Sequence, residues 1–570
     1  MWRPAATPSG AAIFKVSDMR DSVLARSARG VCLAGLALGC GGETSAPRSA
    51  IEVIDAAGLA EHVRTLASDE FEGRAPVSDG ERKTVEYLRD AFSDLGLSPA
   101  NDGEWVQAVP LVSITADPDA MLYVDGGSGH ELAYGDDFMA WTKRVIDRTA
   151  LRDSELVFVG YGIVAPEYGW DDYADLDVAG KTVIILVNDP GYATGDERFD
   201  GRAMTYYGRW TYKFEEAARQ GAEGALIIHD TGPAGYPWEV VSSSWSGPQL
   251  GLVAVDANLS RAAVEGWLTR AAADALFEDA DLDLDDLMED AAQPDFEPIS
   301  LGLTASVEIR NEVERSTSNN VVALVEGSER PEEVVVYMAH WDHLGRDETL
   351  EGDQVYNGAL DNATGTGGLL EIAEAFAELD PAPARSVLFL AVTAEEKGLL
   401  GSAYYTERPI FPLEGTVAAI NMDGLNTIGP VRDITVIGSG SSELDDYLED
   451  AASDHGRDVR PDPEPEKGFF FRSDHFNFAK RGVPALYTDG GIDHVEHGPE
   501  YGRRMRDEYT AERYHTPRDE YDESWDLDGA VDDLRLLFEI GYRLAQEDTW
   551  PNWREGNEFR AARDQMRGDG

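Results

Sequence analysis

Short, unbroken apolar runs alternate with a helical stripe in the second half of the chain. Residues 334–339 (VVVYMA) and 386–394 (SVLFLAVTA) are followed by 416–422 (TVAAINM) and 483–488 (VPALYT). Such runs are typical of strands that are covered on both faces. Between the first two runs, apolar residues recur at the spacing of an amphipathic helix, at Leu369, Ile372, Ala373, Phe376 and Leu379. The alternation predicts an α/β domain with a mostly parallel mixed sheet flanked by helices.

The first half of the chain has a different pattern of apolar residues. Residues 57–97 show helical apolar spacing, whereas 156–164, 181–189 and 224–230 are short β-rich runs, with a helical stretch at 212–220. These runs predict a separate module that is either small α/β or β-rich. The predicted limits are a signal peptide and linker at 1–50, the first part of the main domain at 51–150, the inserted domain with an acidic return segment at 151–310, the rest of the main domain at 311–548 and a polar, frayed tail at 549–570.

The acidic return segment allows two interpretations. Asp281, Asp283 and Asp285 have the alternation of a calcium-binding loop, but the glycine and the terminal glutamate of such a loop are absent. Leu284, Leu287 and Met288 are instead spaced as on one face of a helix. The spacing favours a solvated amphipathic helix.

Composition limits the partners. The 570 residues carry a formal net charge of −60, so nucleic acid and anionic membranes would be repelled. With 42% hydrophobic residues the chain is globular despite that charge. The two cysteines, Cys32 and Cys40, both lie near the amino terminus, so we expect no disulfide or thiol ligand in the folded body.

The amino-terminal segment resembles a secretory signal. An apolar run at 31–39 follows Arg20, Arg26 and Arg29, and it is too short to cross a bilayer as a helix. The run ends at Cys40 in a sequence that resembles a bacterial lipoprotein processing site. We therefore predict export to the bacterial cell envelope, in the periplasm or at the outer membrane, with a lipid on Cys40 as the chain's membrane contact. Cleaved secretion without a lipid is the alternative.

Metal-binding side chains follow three of the predicted strands. VVVYMA leads into His340 and Asp342, SVLFLAVTA into Glu395 and Glu396, and TVAAINM into Asp423. A further carboxylate, Asp361, precedes the helical stripe. In open α/β sheets ligands bind beyond the carboxyl ends of the strands, so these side chains predict a metal site at that edge.

The residue types indicate which metal binds. Imidazole and carboxylate ligands without thiolate suit Zn²⁺, with Mn²⁺ or Co²⁺ as substitutes. Two such ions ~3.5–4 Å apart can share one carboxylate and lower the pKa of a water between them. Because Glu395 and Glu396 are adjacent where a strand ends, they point in different directions, so that one can bind metal and the other can accept a proton.

Five motifs resemble, in order and spacing, those of the zinc metallopeptidase family of bacterial leucyl aminopeptidase and glutamate carboxypeptidase II. They are His340-Trp341-Asp342, Asp361-Asn362, Glu395-Glu396, Asp423 and Tyr514-His515-Thr516-Pro517. LASDEFEGR at 66–74 resembles the family's entry helix and loop. The inserted segment resembles the family's protease-associated domain. The resemblance implies the zinc-exopeptidase fold and a cis peptide bond between Asp361 and Asn362.

The resemblance also implies a role for each site residue. Asp361 bridges two zinc ions, Glu396 and His515 complete one site, and His340 and Asp423 complete the other. Glu395 is the general base that activates the water between the metals, and Asp342 orients His340. The resemblance assigns no role to His343, which we expect only to flank the site because it follows Asp342.

The implied activity is hydrolysis of peptides by a dizinc exopeptidase. Aminopeptidase activity is favoured, because an acidic cleft wall attracts a substrate's α-ammonium group and repels its carboxylate. A carboxypeptidase or dipeptidase of the same family stays an alternative, as does a receptor-like binding protein without catalysis. The sequence does not indicate an oligomeric state.

Overall fold

A computed structural model describes residues 45–568, which form one compact unit. The predicted signal peptide and Cys40 lie outside these residues, so export and lipidation stay predictions. Among the described residues, every helix is too short or too polar to cross a membrane.

The sheet of the main domain is mixed, with parallel strands at its centre. Strands Arg385–Val392, Arg330–His340, Thr416–Asn421 and Ala485–Gly490 are parallel neighbours in that order. On one side the sheet continues with three antiparallel neighbours, Ile299–Val325, Val106–Ala116 and Pro248–Leu252. On the other side it continues with the antiparallel strand Asp433–Val436, which in turn pairs in parallel with Asp458–Pro461. The short strand Ser98–Pro99 also pairs with Ile299–Val325. The predicted mostly parallel mixed sheet is confirmed.

Helices cover both faces of this sheet and bury its apolar runs. The main-domain helices are Arg48–Ile51, Ala56–Leu66, Asp79–Asp94, Gly365–Ala377, Leu400–Glu407, Leu444–Asp454, His475–Lys480, Pro499–Glu512, Asp528–Gln546 and Arg560–Arg567. The helical stripe predicted at Leu369–Leu379 coincides with Gly365–Ala377, and Leu369, Ile372 and Phe376 are buried against the sheet.

A second hydrophobic core lies between residues 120 and 309. Its strands are Met121–Asp125, His130–Ala133, Phe138–Trp141, Arg148–Phe158, Thr182–Leu186, Gly224–His229 and Val264–Thr269, and its helices are Pro190–Thr194, Trp210–Arg219, Thr231–Ala234, Trp238–Ser244, Arg270–Asp279 and Leu284–Ala291. The strand Ile299–Val325 pairs in both regions, so that the two sheets are continuous and contain 17 strands. Two-residue strands form two separate hairpins, Val164–Ala165 with Trp170–Asp171 and Gly345–Arg346 with Val355–Tyr356. That this core is a protease-associated domain stays a prediction.

The second core begins earlier than residue 151, where the sequence placed the domain boundary. Met121–Asp125 pairs with the first half of Ile299–Val325, and Phe138–Trp141 pairs with Val264–Thr269. Residues 120–141 therefore belong with the insertion rather than with the first part of the main domain. These strands are only four or five residues long, which is too short for a clear periodic signal.

The acidic segment forms helices, as its leucine spacing predicts. Leu284–Ala291 is a helix with Leu284 and Leu287 buried, and the Asp283 carboxylate caps its amino terminus by accepting from the amides of Asp285 and Asp286. The calcium-loop interpretation is therefore wrong, because Asp283 is used as a helix cap.

The prediction of a frayed tail after residue 548 is wrong for residues 549–568. Trp553 and Phe559 are buried in the main-domain core, and the Trp553 indole Nε1 donates to the carbonyl of Gly482 at 3.0 Å. The guanidinium of Arg563 donates to the carbonyls of Thr416 and Val417. A few large side chains anchor this polar segment, and average composition does not reveal such anchors.

Replacing Trp553 tests this anchoring. Because Trp553 is 0% exposed, we expect Trp553→Ala to lower the free energy of unfolding by about 3–5 kcal/mol, measured by urea denaturation. Val255→Ala, at a side chain that is 94% exposed, is the control and should leave stability within about 0.5 kcal/mol. Equal stabilities for the two variants would show that the carboxyl-terminal segment does not contribute to the core.

Candidate metal centre

The carboxyl ends of three parallel strands meet at one edge of the sheet. His340 ends Arg330–His340, Glu395 and Glu396 follow Arg385–Val392, and Asp423 follows Thr416–Asn421. Since these strands are hydrogen-bonded neighbours in parallel register, their ends bring the side chains together.

Asp361 lies between two groups of donors. Its Oδ1 is 3.3 Å from His340 Nε2, which is itself 3.2 Å from Asp423 Oδ1. Its Oδ2 is 3.2 Å from His515 Nε2, which is 3.1 Å from Glu396 Oε2. The two oxygens of one carboxylate therefore face two different sets of ligands. The peptide bond from Asp361 to Asn362 is cis, as the family resemblance implies.

His343 lies closer to the centre than the sequence predicts. Its Nδ1 is 2.6 Å from Glu396 Oε1, its ring is buried, and its Nε2 has no hydrogen-bond partner among the described residues. His343, Asp361 and Glu396 have donor atoms within 4.8 Å of one another, as do His340, Asp361 and Asp423. His343 thus contacts a predicted ligand, where the sequence predicts only a flanking position.

Asp342 contacts His340 through a different atom from the one expected. His340 Nδ1 is 3.1 Å from the main-chain oxygen of Asp342, whereas the Asp342 carboxylate is 3.9 Å away. That carboxylate accepts a hydrogen bond from the amide of Glu395 at 3.0 Å. Asp342 thus links the strand end that carries His340 to the loop that carries Glu395.

The pKa values of the two adjacent glutamates diverge. Burial raises the pKa of Glu395 well above its usual range, and the nearby carboxylates of Asp423 and Glu396 raise it further. Burial and the charge of Asp361 also raise the pKa of Glu396, but the contacts with His343 and His515 outweigh them and lower it to about 2. Glu396 is therefore held ionised, as a metal ligand requires, while Glu395 has the higher proton affinity of a base.

Asp361 and His515 shift each other's ionisation. Burial raises the pKa of Asp361, but hydrogen bonds to His340 and His515 outweigh it and hold it well below its usual range. Burial lowers the pKa of His515, but its bonds to Asp361 and Glu396 raise it to about 10. The carboxylates thus concentrate negative charge where a cation would bind.

Sequence reasoning missed two buried residues that hold these loops. Arg74 is 1% exposed, and its guanidinium donates to four main-chain carbonyls around the centre. Asp519 is 0% exposed and accepts from the amides of Leu360 and Asp361, each at 3.1 Å. Arg74 lies in the motif LASDEFEGR and Asp519 lies four residues after His515, so both have a sequence signal beside a recognised motif.

The donor set fits zinc. The side chains offer imidazole nitrogen and carboxylate oxygen, and both cysteines lie outside the described residues. Such ligands suit Zn²⁺, and the donor atoms lie close enough together for one ion to contact several of them.

The family of the segment that carries these residues follows from comparison with known proteins. Residues 320–538, which contain every predicted ligand and the predicted base, match peptidase family M28. The family resemblance is confirmed over this segment. Arg74 and most of the second core lie outside the part that matches family M28.

Relatives of the M28 segment include peptidases with different named activities. Aminopeptidase NAALADL1 of Mus musculus is 36% identical over 138 residues, which are 23% of this chain and 17% of the relative. The glutamate carboxypeptidase 2 homolog of Caenorhabditis elegans is 32% identical over 127 residues, which are 21% of this chain and 15% of the relative. The chain therefore spans less than a fifth of the length of these relatives.

A solved structure of an aminopeptidase from Aneurinibacillus sp. strain AM-1 also matches, with a TM-score of 0.47 and 20% sequence identity. The match covers 88% of this chain and 96% of that one.

Proposed function

We propose that this chain is a dizinc aminopeptidase that releases amino-terminal residues from peptides. The observation that carries the proposal is the position of Asp361, whose two oxygens each face a separate nitrogen-and-oxygen donor set. One set is His340 and Asp423, and the other is Glu396 and His515. When bound there, two zinc ions supply polarisation of the scissile carbonyl and a lowered pKa for the attacking water.

Glu395 carries the proton in this proposal. Its Oε accepts the proton of the attacking water and later delivers it to the nitrogen of the leaving amine. A carboxylate suits both steps, because it accepts a proton as a base and then releases that proton as an acid. The main-chain amide of Glu395 donates to the Asp342 carboxylate, which holds the loop that carries Glu395.

Charge favours the amino end of the substrate. The chain carries a formal charge of −60, so an acidic wall around the cleft is expected. Negative charge around a cleft attracts an α-ammonium group and repels an α-carboxylate.

Mass spectrometry of an unblocked mixed-sequence peptide tests the proposal. After incubation with the zinc-loaded enzyme, we expect products shortened stepwise from the amino end, and none after zinc is removed with a chelator. Products shortened from the carboxyl end would overturn the substrate polarity and keep the peptidase. Intact peptide in both samples would support a binding protein without catalysis.

Two arginines favour a second candidate, a carboxypeptidase or dipeptidase. Within residues 45–568, Arg209 and Arg472 pair with no carboxylate, and the Nε of each is buried without a hydrogen-bond partner. Burial and the charge of Arg472 lower the pKa of Arg209 to about 10, so the two guanidinium groups lie near each other. A carboxylate is the group that such a pair binds. If this second candidate is right, amidation of the substrate's carboxyl terminus should abolish cleavage. If the aminopeptidase proposal is right, acetylation of the substrate's amino terminus should abolish it instead.

A further inference from the structure

Arg74 joins three segments that surround the metal centre. Its Nε donates to the carbonyl of Trp341 at 2.9 Å, its Nη1 to those of Leu66 and Asn357 at 2.7 and 2.6 Å, and its Nη2 to that of Gly358 at 2.8 Å. Trp341 follows the predicted ligand His340. A guanidinium has five N–H donors in a fixed plane, so no other side chain can reproduce these four bonds.

The backbone lets Arg74 approach this closely because Gly73 precedes it. Gly73 has φ +66°, and a Cβ at this position would lie 2.3 Å from the carbonyl oxygen of Gly345 and 2.5 Å from that of Tyr356. A side chain at position 73 would therefore clash with these two oxygens unless the loop that carries Arg74 moved.

Asp519 holds the same region from the other side. Its Oδ1 accepts from the amide of Leu360 and its Oδ2 from the amide of Asp361, and its main-chain oxygen accepts from the amide of Ala359 at 3.0 Å. The hydroxyl of Tyr509 donates to Oδ2 of Asp519 at 3.2 Å. The carbonyls of residues 357 and 358 thus accept hydrogen bonds from Arg74, and the amides of residues 359–361 donate hydrogen bonds to Asp519.

We propose that Arg74 and Asp519 are positioning residues that fix the segment 357–361 so that Asp361 presents its two oxygens to two zinc ions. This inference rests on the proposed dizinc site. Burying an arginine and an aspartate is costly unless their bonds are satisfied, and here the bonds go mainly to the backbone of the two segments that carry His340 and Asp361. The placement links both residues to metal binding rather than to packing alone.

Zinc affinity is the decisive measurement, because a purely structural role would not change it in a folded protein. We compare Arg74→Lys, Asp519→Asn and Tyr509→Phe by chelator competition and by the zinc retained per chain. Lysine makes fewer of the four carbonyl bonds, asparagine retains one acceptor oxygen, and phenylalanine removes only the hydroxyl that orients Asp519. The matched control is Arg385→Lys, since Arg385 is also 0% exposed and donates to the carbonyls of Leu544 and Thr549 away from the centre.

We expect Arg74→Lys and Asp519→Asn to weaken zinc binding by about 10–100-fold, and Tyr509→Phe to weaken it less in the same direction. Arg385→Lys should lower the melting temperature and leave zinc affinity within about twofold. Zinc affinity within about twofold of the unsubstituted protein in every folded variant of the three would overturn the inference. If Arg74→Lys or Asp519→Asn does not fold, the remaining variants decide.

The proposed function can fail separately from this inference. Asp361→Ala is measured alongside as a reference for loss of the site. If that variant also keeps its zinc, Asp361 does not bridge the two donor sets, and the proposed site on which this inference rests is wrong. If it loses zinc while the three positioning variants keep theirs, only the roles of Arg74 and Asp519 are wrong.

Discussion

Glu395→Gln is expected to lower the rate of peptide hydrolysis by about 10²–10⁴-fold and to leave bound zinc unchanged. Glutamine has nearly the shape of glutamate, so packing beside His340 and the amide bond to Asp342 are preserved. It cannot take up a proton, however, and the attacking water and the leaving amine both lose their proton carrier. The effect should fall on kcat, because substrate binding does not require proton transfer.

The measurement combines steady-state kinetics with zinc content per chain. Glu371→Gln is the matched control, because the Glu371 side chain is 2% exposed and accepts from the amide of Asp55 away from the metal donors. That variant should keep kcat within about threefold, since its amide oxygen still accepts a hydrogen bond.

Two results would contradict the role of Glu395. Substantial turnover by Glu395→Gln would show that another group carries the proton, and Asp474 would be examined next, because it is buried and burial raises its pKa to about 7. Loss of zinc from Glu395→Gln would instead make Glu395 a ligand rather than a base.

The centre could be predicted from the sequence because its chemistry follows strand ends. An unbroken apolar run identifies a buried strand, and the polar residue that ends it must lie at the sheet edge. His340, Glu395 and Asp423 all satisfy this rule, and their strands are adjacent and parallel. Asp361 was indicated by its position just before the helical stripe, whereas His515 follows no predicted strand, so only the family resemblance indicated that His515 joins the site.

Other features depend on contacts between distant segments that no local pattern reveals. Arg74 bonds to the carbonyl of Trp341, 267 residues away, and Asp519 bonds to the amide of Asp361, 158 residues away. The 27-residue strand Ile299–Val325 takes its partners from both cores. Burial of Trp553 depends in the same way on an acceptor at Gly482.

Asp361→Ala is expected to abolish hydrolysis and to remove zinc from both donor sets. The Asp361 carboxylate faces both His340 and His515, at 3.3 and 3.2 Å. Its loss takes one ligand from each set, and the remaining carboxylates lose the group that lies between them. The loss of zinc affinity should therefore exceed the ~10–100-fold that is typical when a residue outside the ligand set is replaced.

Zinc titration with a competing chelator, together with zinc counted per chain, distinguishes the ways in which Asp361→Ala could act. Asp353→Ala is the control, because Asp353 is an exposed carboxylate eight residues earlier in the same loop region, and its removal should leave zinc content and kcat unchanged. If Asp361→Ala keeps both ions, Asp361 does not bridge, and the two donor sets act independently. If it loses one ion and keeps the other, the carboxylate belongs only to the set that lost its ion, and titration of Asp423→Ala and Glu396→Ala in the same way identifies that set. Loss of both ions from Asp361→Ala, with zinc retained by the inactive Glu395→Gln, would separate metal binding from proton transfer between two residues of one centre.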